Sequence, residues 1–106
     1  MPNVISLMPM ANHRSYRRHL GPKFSEGARL LWVRVEKLGS LAKVGAKIKD
    51  RTGLGVVGLL PKWLYGDQCP DAVWRARLNT LFRISFTAWD EQPAETFVPP
   101  AAREAA

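Results

Sequence analysis

The sequence predicts an all-α fold, a small bundle of four to five helices, on three observations. Apolar residues recur at helical spacing from Ala28 to Leu38 and again from Trp74 to Phe82. Helix-capping residues stand just ahead of these stretches and of a third one: Ser25, Ser40 and Asp71. No run alternates convincingly with period two, and no internal repeat is present.

At 106 residues the chain has room for one small domain. Its eight glycines and eight prolines crowd into the termini and residues 53–70, leaving roughly 65 residues for a core. Residues 1–24 show neither period and are interrupted by Pro2, Pro9, Gly21 and Pro22, so they read as a flexible basic arm. Helix one follows Ser25, with Ala28, Leu31, Val35 and Leu38 on its inner stripe, Trp32 beside it, and Gly39 suited to a left-handed C-cap. Ser40 caps helix two, expected from Leu41 to about Lys49, with Leu41, Val44 and Ile48 inward and Lys43, Lys47 and Lys49 outward. Asp50-Arg-Thr-Gly53 reads as a turn.

Proline is tolerated only in the first turn of a helix, so Pro61 places the start of helix three between Val57 and Leu60. That helix runs to Tyr65 and ends at Gly66. Asp71 caps helix four, expected to reach about Arg83, with Trp74, Leu78, Leu81 and Phe82 inward. Ile84 to Trp89 is expected to be a compact element whose Phe86 and Trp89 fold back on the core. The domain is thus assigned to residues 25–90, and residues 91–106 to a disordered, acidic, Pro- and Ala-rich tail.

The formal charge is +7, unevenly spread. The arm carries Arg14, Arg17, Arg18 and Lys23 with no acid, whereas residues 90–106 carry four acids against Arg103. A basic core with a basic arm points to a polyanion, most often nucleic acid. Such an arm gains order along phosphates or in a minor groove, and its composition is also that of an ordinary chain terminus.

Cys69 is the single cysteine, so no internal disulfide is expected and the fold must be held by packing, in a reducing compartment or indifferent to one; the expected location is the bacterial cytoplasm, nucleoid-associated or phage-infected. No apolar run is long enough to span a bilayer, and no signal peptide is expected. His13 and His19 lie in the arm and Cys69 is alone, so no metal-ligand spacing is present, and neither a cofactor nor enzymatic activity is expected. Asp67 and Asp71 read as turn and cap residues rather than an acid/base pair. Gly53-Leu-Gly-Val-Val-Gly58 matches G-x-G-x-x-G, but that motif works only between a buried strand and a helix, and Lys-Ile-Lys-Asp-Arg-Thr52 makes no such strand.

Three pieces, in this order, resemble Cro/repressor-type (xenobiotic-response-element-like) helix-turn-helix regulators. They are Gly39-Ser-Leu-Ala-Lys-Val-Gly-Ala-Lys-Ile48, then Pro61-Lys-Trp-Leu-Tyr-Gly-Asp67 with Pro70-Asp71, then Leu78-Asn-Thr-Leu-Phe-Arg-Ile-Ser-Phe-Thr-Ala-Trp-Asp90. The resemblance covers about Ser25 to Asp90. It implies a DNA-binding transcriptional regulator, usually a homodimer on a palindromic site, with helix three as recognition helix. Here the distance from Ile48 to Trp63 is about five residues longer than the family's usual spacing, so either the turn is enlarged or helix two runs on. The front of that helix offers Val56, Val57, Gly58, Leu59 and Pro61 rather than polar base readers.

The expected function is therefore duplex-DNA binding and transcription regulation. Lys62 leads at helix three, Lys43, Lys47, Lys49, Arg51 and Thr52 hold the backbone, and Arg14, Arg17 and Arg18 follow a neighbouring groove. A solvated surface lysine is the other reading of Lys62. The alternative function is a protein-binding module, a phage-type inhibitor or adaptor, using the apolar 53–65 face against a second copy or a foreign target.

Overall fold

The computed structural model describes residues 20–98. Among these the chain forms α1 (Glu26–Leu38), α2 (Leu41–Thr52), α3 (Leu60–Tyr65), α4 (Ala72–Phe82) and a closing 3-10 turn at Phe86–Asp90, with no strand. The all-α class expected from helical periodicity is the observed one.

The caps act as the sequence requires. Ser25 Oγ accepts from the Ala28 N–H, Ser40 Oγ from Lys43 and Asp71 Oδ1 from Trp74, each satisfying one orphan donor of a first helical turn. Gly39 ends α1 at φ 104°, where a side chain would be strained. Helix α1 is the central element, touching α2, α3 and the 3-10 turn and burying Ala28, Leu31, Trp32 and Val35. Each of the larger three contributes about 1.5–3 kcal/mol by leaving water. Gly27 lets the Trp89 indole lie directly on α1, since a Cβ there would collide with the ring.

Three expectations are corrected. Helix α2 does not stop near Lys49. Asp50, Arg51 and Thr52 form its last turn, because Thr52 Oγ1 donates to the Ile48 carbonyl (2.7 Å) and the left-handed residue is Gly53, at φ 76°. Phe86 does not fold into the core: it is 42% exposed, and the Arg75 guanidinium lies 5.4 Å from its ring centroid. Ile84, at 1% exposure, fills the interior instead.

The third correction concerns the boundaries, since chain on both sides of residues 25–90 is packed on the domain. The Gly21 N–H donates to the Tyr65 carbonyl (2.6 Å) and the Lys23 N–H to Gly66 (2.8 Å). Beyond Asp90, the Ala94 N–H donates to Glu26 Oε1 (2.6 Å), and the Phe97 ring sits 5.8 Å from both Phe24 and Trp32. Neither segment has a period because neither is a helix or strand; both are held by backbone bonds and aromatic contact.

Candidate nucleic-acid interface

Helix α3 is a short, deeply seated element. Six residues span about 9 Å, and Leu60, Trp63, Leu64 and Tyr65 are buried. The Trp32 indole N–H donates to the Leu64 carbonyl (2.7 Å), and the Trp32 and Tyr65 rings meet edge-on at 5.5 Å. Only Pro61 and Lys62 face outward. The Lys62-Trp-Leu-Tyr-Gly66 run is thus a packing signature: Trp63 is 1% exposed, as expected for core. Trp74 is only half-buried, tilted against Trp63, with the Arg77 guanidinium 4.7 Å above its ring.

Between α2 and α3 the chain runs from Gly53 to Leu59, open at first and closing in a turn at residues 57–59 that leads into α3. Val56 pins this segment, buried at 2%, and its carbonyl accepts from the Leu59 and Leu60 N–H groups. Its neighbours turn outward: Leu54 is 44% and Val57 85% exposed. With α2 the segment forms an apolar groove of about 360 Å³, walled by Leu41, Ala42, Gly45, Ala46, Val57 and Leu60 and edged by Lys49. A helix, not a strand, leads into Gly53-Leu-Gly-Val-Val-Gly58, so the strand-to-helix context of a dinucleotide motif is not what these glycines serve.

The cations of α2 fall on two flanks. Lys43, Lys47 and Arg51 repeat every four residues and form one stripe. Lys49, two residues beyond Lys47, lies across the helix beside the apolar groove. Lys43 and Lys49 are exposed and Lys47 is half-buried, while Arg51, 61% exposed, has Asp50 at 3.9 Å as its one acidic neighbour among the described residues. An ion pair this exposed holds little energy and leaves the guanidinium available. Thr52 belongs to the helix end, where its hydroxyl donates to Ile48 and accepts from the Leu54 N–H, so its expected phosphate contact gives way to capping. Arg14, Arg17 and Arg18 lie outside the described residues.

Charge is partitioned sharply. Residues 41–65 hold five cations and one acid, whereas the rest of 20–98 holds seven of each. Three of those other arginines are engaged in the fold. Arg29 pairs with Glu26, Arg75 makes two bonds to Asp90 (2.9 and 3.2 Å), and Arg34 donates to the Phe82 carbonyl (3.2 Å). The Arg29 guanidinium, with help from the Ala94 N–H, holds the Glu26 carboxyl below the usual range against the opposing effect of desolvation. Arg75 does the same for Asp90. Lys43, Lys47, Lys49 and Lys62 make no ion pair among the described residues. The net positive charge of the described domain therefore sits on α2, α3 and the segment between them.

No group of three or more His, Cys, Asp or Glu is gathered among the described residues as a metal ion would require. No described helix is long and apolar enough to cross a membrane. Comparison with models of protein families, with curated proteins and with solved structures found no match, so the helix-turn-helix resemblance stands on the quoted residues alone.

Proposed function

We propose that this domain binds duplex DNA chiefly through its phosphates, as a helix-turn-helix regulator whose third helix does little base reading. The supporting observation is the charge partition: the whole net charge of residues 20–98 lies on residues 41–65, whose four lysines make no ion pair among the described residues. Lys43, Lys47 and Arg51 line one stripe, with Lys62 the outward cation of α3. Base discrimination requires donors and acceptors aimed at base edges, and α3 offers Lys62 and no other polar side chain on its outer face. Sequence preference would then rest on the Arg14, Arg17 and Arg18 arm in a neighbouring groove, and on two copies meeting a palindromic site. The cytoplasm is the compartment in which such binding takes place.

The test is a mobility-shift titration of the 106-residue chain against its own upstream DNA and a scrambled duplex. The expected result is retardation of both, lost as salt is raised; retardation of neither overturns the reading.

A second reading is favoured by the apolar groove of about 360 Å³ and the exposed Val57 beside it: the domain docks a protein there. A Lys62→Ala, Arg51→Ala double change separates the two. It weakens DNA binding under the first reading and leaves protein complex formation intact under the second.

A further inference from the structure

We infer that Arg77 of α4, together with Arg51, forms a phosphate-binding cleft that carries the DNA backbone across α2 and α4. The inference rests on the DNA-binding reading and extends it to a helix and a residue outside the expected contact set. A cleft of about 460 Å³ separates the end of α2 from the middle of α4, lined by Arg51, Thr52, Ala76, Arg77, Thr80 and Leu81. Two of these six residues are cationic and none is acidic.

The polar chemistry of the cleft is divided unambiguously. Both threonine hydroxyls are spent on their own helices, Thr52 donating to the Ile48 carbonyl (2.7 Å) and Thr80 to Ala76 (3.2 Å). Anion recognition therefore falls to the two guanidiniums. Arg77 is preorganised: its guanidinium carbon lies 4.7 Å over the Trp74 ring, a stacking that fixes the planar group and leaves its N–H edge available. It makes no ion pair among the described residues. Arg51 ends the Lys43–Lys47–Arg51 stripe, so the cleft continues that line of charge onto α4. A phosphodiester, with two acceptor oxygens, matches two guanidiniums lining one cleft better than it matches scattered lysines.

The experiment measures duplex affinity from about 50 to 200 mM salt for the full chain, for Arg77→Gln, for Arg77→Lys and for Arg83→Gln. Arg83, exposed at the end of α4, is the control. Arg77→Gln is expected to reduce the slope of log affinity against log salt by about one, Arg77→Lys to keep the slope while weakening binding, and Arg83→Gln to leave both unchanged. Thermal unfolding of each variant reports separately on lost Trp74 packing. If the wild-type chain binds duplex and Arg77→Gln binds with the same slope and affinity, the cleft is overturned and the DNA reading stands. If the wild-type chain binds no duplex, the DNA reading itself fails and the cleft with it.

Discussion

Residues 53–59 and 60–66 are neighbours in the sequence and differ in almost every structural respect. The second run is enclosed: Leu60, Trp63, Leu64, Tyr65 and Gly66 are buried, and the Leu64, Tyr65 and Gly66 carbonyls are claimed by Trp32, Gly21 and Lys23 from elsewhere in the chain. The first run is held by Val56 and otherwise open, with nothing near the Cβ position of Gly53, Gly55 or Gly58 and with Val57 mostly in water. A recognition helix needs the reverse arrangement, a seated back and a polar, projecting front. Here the seated part is nearly the whole helix and the projecting part is apolar. On the DNA-binding reading proposed above, nucleic-acid contact would fall to charge on α2 and its surroundings, while the apolar front would be left for the alternative protein-docking reading.

Substitutions can break this contrast, and the largest effect is expected in the enclosed half. Trp63→Ala empties a fully buried site and should cost about 3–5 kcal/mol in urea unfolding. Gly66→Ala forces a side chain at φ 78° and drives its Cβ into the Phe24 backbone; a loss of about 2 kcal/mol or more is expected by the same measurement. Trp32→Phe keeps the ring but deprives the buried Leu64 carbonyl of its donor, for about 1–3 kcal/mol. If any of these proves neutral, α3 is not anchored as described.

The carboxylate that holds residues 91–94 against α1 also titrates. Glu26 is held below its ordinary pKa by Arg29, so its contribution is fully present above the unfolded carboxylate pKa and is lost as pH falls through the lowered folded value. The melting temperature should therefore be flat near neutrality and fall in acid, and Glu26→Gln should flatten part of that acid limb. The smallest stability effect belongs to the open half. Val57→Ser should change stability by less than about 0.5 kcal/mol, because the side chain is already hydrated. A large loss would mean the groove is closed in solution by packing against another molecule.

The parts of this architecture legible from sequence are those governed by local rules. Ser25, Ser40 and Asp71 cap because their oxygens reach the first-turn amides, and Gly39 and Gly66 end helices because only glycine takes a left-handed turn cheaply. Pro61 located the start of α3 for an equally local reason. What escaped depends on residues far apart. Leu20–Phe24 and residues 91–98 have no period, so their attachment to Tyr65, Gly66 and Glu26 left no trace in the sequence. Helix α2 ran on past Lys49 because the left-handed stop is at Gly53, and Asp50 and Arg51 are no barrier to a helix. Phe86 reads as core by composition, yet Ile84 occupies the interior. Of the expected contact residues, the outward placement of Lys43 and Lys47 on helix two was visible in advance, but their stripe with Arg51 was not, because Asp50-Arg-Thr-Gly53 read as a turn. Arg77 was not, since its significance comes from α4 lying beside the end of α2 and from Trp74 beneath it. An arginine three residues after a half-buried aromatic on one helix is the signal that would have marked it.

The central claim, phosphate-led DNA binding by residues 41–65, is tested most directly by duplex affinity as a function of salt. With Lys43, Lys47, Arg51, Lys62 and Arg77 engaged, log affinity should fall against log salt with a slope of roughly −4 to −5 or steeper, and Lys43→Gln, Lys47→Gln together should reduce its magnitude by about two. A duplex affinity unchanged between about 50 and 200 mM salt would contradict the account.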